Sequence, residues 1–225
     1  SMFYLLLAIF STQICLASEA VGPAPQSYQF EKSGQSGWCH APAEYASGYF
    51  HTYEKYQVAG SSDMPRKVHV FLPRDYDTST NRYPVIYMND GQTAFFVNES
   101  PVGKSWDAAR VICDLHDQGV IGEIIVVAIF PIDRNREYTH EAVRMNETCC
   151  GLDEYSRYLS SYVKPWFDAN YRTLPAASNT MVLGSSHGGL AAFYTASLYR
   201  NQFGLAACLS SSFWVGLDNR TFHLG

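Results

Sequence analysis

The sequence has few charged side chains and no concentrated basic segment. Charged residues make up 16% of the 225-residue chain, with 16 Lys and Arg against 21 Asp and Glu, and the formal net charge is −5 at pH 7. Proteins that bind nucleic acid neutralise phosphates with clustered Lys and Arg. This composition therefore argues against a nucleic-acid partner. Hydrophobic residues at 47% indicate a globular chain with a sizeable core.

The Cys and His spacings typical of a zinc site are also absent, and no internal repeat is visible. We therefore expect no metal and no cofactor. Cys15 lies in an apolar N-terminal segment, and the five remaining cysteines cannot all pair with one another. Cys149 and Cys150 are adjacent, and we expect them to bond to different partners. Cys208 lies in an apolar run and is expected to be a core residue.

No apolar run is long enough to span a bilayer, which takes about 20 residues. The apolar run at residues 3–10 is followed by small residues, as in a secretory signal peptide. We predict a signal peptide over residues 1–20, with cleavage after Ala17 or Ala20, and hence a secreted or periplasmic protein with no stable membrane span. The usual basic segment is missing, since the chain opens with Ser1 and Met2, so a buried first strand is the alternative interpretation.

The rest of the chain divides by pattern into two parts. Residues 21–60 are rich in Gly, Pro, Ser and Tyr, and they predict an irregular lead-in. Residues 61–225 alternate apolar strands with amphipathic helices, which favours a mostly parallel central sheet with helices on both faces, a three-layer αβα architecture. The predicted strands cover residues 67–73, 83–88, 123–130, 180–184 and 205–210, and the predicted helices cover residues 104–118, 153–170 and 188–200.

One motif in this pattern carries chemistry. The segment Gly184-Ser185-Ser186-His187-Gly188 fits G-x-S-x-G, and it lies where a predicted buried strand gives way to a predicted helix. A sharp strand-to-helix turn exposes the serine hydroxyl there, and the glycines allow close approach of the backbone. The alternative is a glycine-rich phosphate-binding turn, which would require a Lys-Ser/Thr pair or a third glycine. We predict Ser186 as a nucleophile.

A second segment supports the first. Asn89-Asp90-Gly91-Gln92 follows an earlier core strand. In an α/β hydrolase, the loop at this place supplies one oxyanion donor, and the residue after the nucleophile supplies the other. We assign these roles to the backbone N–H groups of Gln92 and His187. An ordinary Asn-Asp-Gly turn is the alternative interpretation.

These motifs occur in an order that resembles the putative-esterase family of α/β hydrolases. This family includes enterochelin-esterase-like and esterase D-like proteins, S-formylglutathione hydrolases, feruloyl and acetylxylan esterases, and mycolyltransferases. The form Asp90-Gly91-Gln92, where many relatives have His-Gly, is most similar to the enterochelin-esterase-like branch. The stretches that carry the resemblance are residues 66–73, 83–95, 124–129, 134–139, 164–165, 171–173, 181–190 and 209–214.

The resemblance implies an α/β-hydrolase fold and a substrate pocket. It places the loop at residues 134–138 beside that pocket, with Asp90, Arg134, Arg136 and Tyr138 as candidate substrate-binding residues. An arginine in this loop would meet an anionic or polar group of the substrate. A structural ion pair with a neighbouring carboxylate is the alternative interpretation for Arg134 and Arg136.

The resemblance also implies a catalytic acid and a His that follow Trp214 by further strands. Asp218 and His223 come too soon after the serine to be those partners, and the ring of His187 is expected to point away from the Ser186 hydroxyl. We interpret the sequence, which ends at Gly225, as a partial esterase domain over residues 61–225, incomplete at its C-terminus and inactive or weak if the acid and His are absent.

The leading functional hypothesis is carboxylic-ester hydrolysis through an acyl-enzyme on Ser186. One alternative is acyl transfer at the same site, and another is a non-catalytic binding module on the same scaffold. The expected partner is a small-molecule or polysaccharide-linked ester. Siderophore esters, feruloyl or acetyl groups on polysaccharide, and small thioesters all fit, and the oligomeric state is left open.

Overall fold

The computed structural model describes residues 27–42, 48–143 and 147–215 of the chain. The predicted signal peptide over residues 1–20 lies outside these residues, as do Asp218 and His223. Within the described ranges, no helix combines the length and apolar character needed to cross a membrane.

In the described part of the chain, eight strands form one mixed sheet with the spatial order β1-β2-β3-β4-β6-β5-β7-β8. The four strands from β6 to β8 in this order run parallel, and each of the pairs β1–β2, β2–β3, β3–β4 and β4–β6 is antiparallel. The strands are β1 Tyr28–Lys32, β2 Gln35–His40, β3 Gly48–Tyr56, β4 Arg66–Pro73, β5 Val85–Asn89, β6 Ile125–Ile129, β7 Thr180–Ser185 and β8 Leu205–Leu209.

Helices connect the parallel strands. The α-helices are α1 Gly91–Ala94, α2 Ala108–Asp117, α3 Arg134–Glu137, α4 Leu152–Tyr158, α5 Lys164–Asn170 and α6 His187–Leu198. A π-helical segment, Leu159–Val163, joins α4 to α5, and 3₁₀ turns lie at Val97–Glu99 and Ala177–Asn179. Pro165 follows the π-helical segment as the second residue of α5, and because it has no N–H it makes no helical hydrogen bond to the preceding turn.

The prediction of an irregular lead-in over residues 21–60 is wrong for β1, β2 and β3. Ser33 and Gly34 have φ of 47° and 77°, and they form the two-residue turn of a β-hairpin between β1 and β2. Strand β3 then buries Tyr49, Phe50 and Tyr53 completely. Tyr49, Tyr53 and Tyr56, which contributed to the loop-like composition of this segment, are therefore part of the core.

The prediction of a mostly parallel sheet is also corrected, because the sheet is mixed. Short connections such as the Ser33–Gly34 turn return the chain antiparallel, whereas a parallel pairing needs a crossover of a dozen or more residues. Among strands that follow one another in the chain, those from β5 to β8 are joined through helices and have that length of chain between them. The alternation of strand and helix predicted the crossovers but not the hairpins.

Helices cover both faces of the sheet, as the sequence predicts. Along β5, Val85 and Tyr87 belong to one core and Ile86 and Met88 to the other, as expected from the two-residue period of a strand. Helix α2 packs against the core of Ile86 and Met88. Helices α4, α5 and α6 pack against the core of Tyr87. Both faces of the central strands are therefore buried, and the ends of the strands are left to form sites.

One expectation about cysteines is wrong. Cys149 and Cys150 form a disulfide with each other instead of with separate partners. The backbone N–H of Cys150 also donates to the carbonyl of Thr139 at 3.1 Å, which holds this pair beside the chain that follows α3. Cys39 and Cys113 are buried thiols, and Cys208 is a half-buried one in β8.

Candidate active site

Ser186 lies at the junction between β7 and α6. Its φ is 55° and its ψ is −120°, a conformation that non-glycine residues rarely adopt. The neighbouring strand holds it in place, because the Ser186 N–H donates to the carbonyl of Leu209 at 2.9 Å. Strained residues of this kind persist where the surrounding structure fixes them, and they cluster at functional sites.

The flanking glycines are required by contact distances. A Cβ atom at Gly184 would lie 2.0 Å from the carbonyl oxygen of Gly188, and one at Gly188 would lie 2.8 Å from a carboxylate oxygen of Asp90. The first contact is with backbone, which has little freedom to move away. The motif therefore has the strand-turn-helix context that the sequence predicts for a nucleophilic serine.

Ser186 lines a cavity of about 600 Å³. Of the predicted site residues, Asp90, Gln92, Arg134 and Ser186 line this cavity. The chain between α1 and α2 contributes further lining residues. Its lining residues are Pro101, Val102, Lys104, Ser105 and Trp106.

Asp90 and Arg134 form a two-pronged ion pair in this cavity. Arg134 Nε donates to Asp90 Oδ1 at 2.7 Å, and an Nη atom donates to Asp90 Oδ2 at 2.9 Å. Burial alone would lower the pKa of Arg134, but the hydrogen bond and charge of Asp90 raise it above its ordinary value. The ion pair proposed as the alternative role of Arg134 is thus present, and both residues still face the cavity.

Arg136 and Tyr138 do not line the cavity, which corrects their prediction as substrate-binding residues. Arg136 extends from the outside of α3 and pairs with Glu154 of α4. Tyr138 is completely buried behind the site, and its hydroxyl accepts from the backbone N–H of Asp90 at 3.0 Å. Its contact supports Asp90, and its phenol is not available to a ligand.

The two predicted oxyanion donors lie in the first turns of two helices. Gln92 is the second residue of α1, and His187 is the first residue of α6. A first-turn N–H has no earlier helical carbonyl to bond, and the positive end of the helix dipole favours a negative charge nearby. The proposed role for both amides is compatible with these positions.

The ring of His187 makes a contact that the sequence did not predict. Its Nδ1 lies 2.9 Å from Ser212 Oγ, and Ser212 Oγ lies 3.1 Å from Ser186 Oγ. Burial and the nearby charge of Arg134 lower the pKa of His187 below its ordinary value. Ser212 thus connects the His187 ring to the Ser186 hydroxyl. The only sequence signal was the position of Ser212 in a serine run directly after β8.

Asn89, at the end of β5, was also missed as a supporting residue. Its Nδ2 donates to the carbonyl of Gly188 at 2.9 Å, and its Oδ1 accepts from the hydroxyl of Tyr155 at 2.7 Å. These bonds tie the start of α6 to β5 and α4.

Among the described residues, no group of three or more His, Cys, Asp or Glu side chains is placed to hold a metal ion.

Comparison with known proteins identifies the family. A sequence model of the family described as "Putative esterase" matches residues 60–223, which is well over half of the chain. The chain belongs to this esterase family. Among its relatives, YbbA of Bacillus subtilis (strain 168), named as an uncharacterized protein, is 26% identical over 165 residues, covering 71% of this chain and 62% of YbbA. Esterase Rv1288 of Mycobacterium tuberculosis (strain ATCC 25618 / H37Rv) is 24% identical over 184 residues, covering 77% of this chain and 37% of that protein.

Solved structures confirm the α/β-hydrolase fold of this esterase family member. An IroE-like serine hydrolase from Shewanella oneidensis has a TM-score of 0.57 at 21% identity, covering 73% of this chain and 51% of that one. Enterochelin esterase from Shigella flexneri has a TM-score of 0.57 at 20% identity, covering 83% of this chain and 41% of that one. Siderophore hydrolase EstA from Aspergillus nidulans has a TM-score of 0.53 at 20% identity, covering 71% and 58%.

Proposed function

We propose that the protein is a serine ester hydrolase that works through an acyl-enzyme on Ser186. The observation that carries this proposal is the backbone of Ser186, which is held at a positive φ between β7 and α6 at the edge of a cavity of about 600 Å³ that the residue lines. Membership of the esterase family supports the same reaction class.

In the proposed reaction, Ser186 Oγ attacks the carbonyl carbon of the ester. The serine proton passes to a general base, the carbonyl oxygen takes up negative charge, and the alcohol then leaves with a proton. Water releases the acid in the second half of the cycle. Within the described residues, the side chain at hydrogen-bond distance from Ser186 Oγ is Ser212. We therefore propose, as the family resemblance implies, that the base is a His later in the natural chain than Trp214.

The backbone N–H groups of Gln92 and His187 are the proposed donors to the oxyanion. Both belong to first turns of helices, and Gln92 lines the same cavity as Ser186. An oxyanion donor typically contributes about 3–4 kcal/mol to transition-state stabilisation. The backbone roles of these residues do not depend on their side chains, so substitutions at either position would leave this contribution in place.

The proposed substrate is an ester whose acyl part or alcohol part is considerably larger than an acetyl group. The cavity falls within the range of about 300–1,000 Å³ that small-molecule sites occupy, and Val102 and Trp106 give it an apolar wall. Two of the structurally similar proteins are named as an enterochelin esterase and a siderophore hydrolase. Siderophore and feruloyl esters therefore fit the cavity better than small acetyl esters or thioesters do.

The test of this proposal is chemical labelling of the protein expressed from its natural gene. A fluorophosphonate probe should modify Ser186, and peptide mass spectrometry locates the modified residue. Ser186→Ala should abolish both labelling and hydrolysis of p-nitrophenyl esters. The matched control is Ser36→Ala, since Ser36 is an exposed residue of β2 outside the cavity. Absence of labelling in the natural protein would contradict the hydrolase and favour the binding-module hypothesis.

Export of the protein stays a prediction that rests on residues 1–20. If those residues direct secretion, the mature protein should appear outside the cytoplasm with a new N-terminus after Ala17 or Ala20. Fractionation followed by N-terminal sequencing checks this. An uncleaved protein in the cytoplasm would contradict it.

A further inference from the structure

Ser212 is held against the nucleophile by backbone and by side chain. Its N–H donates to the carbonyl of Ser186 at 3.0 Å, so the chain after β8 is fixed to the same residue that bears the nucleophilic hydroxyl. The side chain is 2% exposed. A buried hydroxyl at this place has few partners available, and its contacts are therefore well defined.

The Ser212 hydroxyl bridges two groups of the site. Its Oγ lies 3.1 Å from Ser186 Oγ and 2.9 Å from His187 Nδ1. The ring of His187 is held in turn by Trp214, which packs edge-on at 5.9 Å between ring centroids. A chain of contacts thus runs from Trp214 through the ring and the Ser212 hydroxyl to the nucleophile.

We propose that Ser212 is a positioning residue that fixes the orientation of the Ser186 hydroxyl, and that the ring of His187 orients Ser212. This inference rests on the proposed function and goes beyond it, since it adds two side chains that neither attack the substrate nor bind the oxyanion. A serine hydroxyl without a partner rotates among three staggered positions. A hydrogen bond to Ser212 selects one of them.

The proposed reaction fixes the direction of hydrogen bonding in this bridge, because Ser186 must keep its own proton for the general base. A hydroxyl has one donor and two acceptor sites, so Ser212 can donate to Ser186 Oγ while it accepts from His187. Burial lowers the pKa of His187, which favours the neutral ring, and a neutral ring with its proton on Nδ1 donates to Ser212.

A purely structural role for Ser212 predicts a different outcome. The backbone bond from Ser212 to Ser186 does not involve the side chain and would persist in Ser212→Ala. If the hydroxyl only filled space, its removal would change stability but not the reactivity of Ser186 in the folded protein. The rate of reaction at Ser186 therefore separates the two roles.

The experiment measures the rate of fluorophosphonate labelling and the kcat and KM for a p-nitrophenyl ester, in the protein from its natural gene. Ser212→Ala should lower the labelling rate and kcat about tenfold, as expected for one lost hydrogen bond at the reacting group, with KM changed less than twofold. Ser212→Thr, which keeps a hydroxyl, should recover most of the loss. Ser211→Ala is the matched control, because Ser211 lies in the same loop and its Oγ occupies space beside Gly189, 2.2 Å from where a Cβ of that glycine would be.

A double-mutant cycle tests the link to His187. His187→Ala keeps the backbone N–H and removes the ring, and it should lower the labelling rate to a similar extent as Ser212→Ala. Because the ring acts through Ser212, the double variant should be no slower than Ser212→Ala alone. Additive losses would overturn this link. If Ser212→Ala does not fold, His187→Ala at a half-buried position gives the decisive rate.

The outcomes distinguish this inference from the proposed function. If the natural protein is not labelled at Ser186, the proposed function itself fails. If it is labelled and folded Ser212→Ala reacts at the natural rate, the hydrolase stands and the positioning role of Ser212 is overturned. Equal losses in Ser211→Ala and Ser212→Ala would also overturn it, because they would reflect damage to the loop.

Discussion

Gly184 and Gly188 carry no side chain, and their absence of Cβ atoms allows the end of β7 to meet the start of α6. The two residues enclose Ser186, and the strained backbone of the serine depends on that close approach. The position of the Ser186 hydroxyl therefore depends on the two glycines as well as on the serine itself.

Gly184→Ala tests this dependence. The new methyl group would meet the backbone of Gly188 at 2.0 Å, so we expect the turn to shift, with ester hydrolysis reduced at least about a hundredfold or the folded protein lost. Gly122→Ala is the control, since a Cβ there meets nothing within 4 Å. Hydrolysis rates and circular dichroism of both variants provide the measurement, and an active Gly184→Ala protein would contradict the close approach.

Glu123 gives a prediction about pH at the same scale. Burial, together with the adjacent Asp75, raises the pKa of Glu123 from 4.5 to about 7. At a pH between these two pKa values, Glu123 is protonated in the folded protein and ionised in the unfolded chain. The contribution of Glu123 to the free energy of unfolding therefore falls as pH rises. Glu123→Gln should therefore gain stability relative to the natural protein as pH rises from about 4.5 to about 7.

Urea unfolding of both proteins at several pH values measures this difference. Comparing the variant with the natural protein cancels the other titrating groups, provided that the substitution leaves their surroundings unchanged. A stability difference that stays constant across the pH range would contradict the raised pKa.

Single residues differ in how well the sequence predicts them. Ser186 was predictable because its signal is local, a glycine-flanked serine between a strand and a helix. Arg134 and Arg136 lie two residues apart on α3, and helix geometry turns such neighbours to different sides. The family resemblance implied that both arginines bind substrate. The packing of α3 shows that Arg134 lines the cavity, whereas Arg136 pairs with Glu154.

At the scale of elements, α3 is a four-residue helix that a buried ion pair fastens to the sheet. Arg66 of β4 donates to Glu137 at 2.8 Å, and the side chain of Arg66 is 1% exposed. Glu137 also accepts from the N–H of Ile132 at 2.9 Å, just before the helix. A helix of one turn has little stability of its own, so this anchor is what holds Arg134 beside Asp90.

Glu137→Ala should therefore destabilise the protein by about 3–5 kcal/mol, because the buried charge of Arg66 loses its closer carboxylate partner and keeps Asp63 at 3.6 Å. Glu154→Ala breaks the exposed ion pair of the same helix and should cost at most about 1 kcal/mol. Denaturant unfolding of the two variants gives the comparison. Similar losses from both would show that burial does not distinguish the two pairs.

The sequence predicts some strands better than others, and the difference has a physical reason. The parallel strands β5, β6 and β7 are continuous apolar runs, which the sequence shows directly. Strands β1 to β3 contain Gly, Ser, His and Tyr, and their character depends on pairing with one another and on packing against distant helices. Tyr53, for example, packs against Trp166 of α5 at 5.7 Å between ring centroids, a contact that no local pattern reports.

On the scale of the whole molecule, the sheet has a buried centre and a more exposed margin. All residues of β5 and β6 are buried, whereas β1 is mostly exposed and, within the part of the chain that the structure describes, pairs only with β2. Opening of the centre requires separation of both helix layers, but opening of β1 does not.

Hydrogen exchange should follow this arrangement. Amides of β5 and β6 should exchange only through global unfolding, and those of β1 should exchange at least about tenfold faster through local opening. Mass spectrometry of peptic peptides, corrected for intrinsic rates, measures both. Equal protection of β1 and β5 would show that the hairpin at the margin opens only with the core.

The strand and helix alternation was sufficient to predict the fold class, and the comparisons confirm it. It was not sufficient for strand order or direction, because pairing partners depend on connection length and on contacts distant in sequence. The order β4-β6-β5-β7 places the loops after β5 and β7 side by side, and this adjacency brings Asp90 close to Gly188.

The contact of the His187 ring with Ser212 has a consequence for protein engineering. Position 187 is an arbitrary residue in the G-x-S-x-G pattern, yet here its ring reaches a hydroxyl 25 residues away. In a mutagenesis library that varies position 187 alone, residue 212 is a serine in every variant. Side chains at position 187 that require a different residue at position 212 would therefore be lost in the screen. Randomising both positions together should recover active combinations that neither single-site library contains.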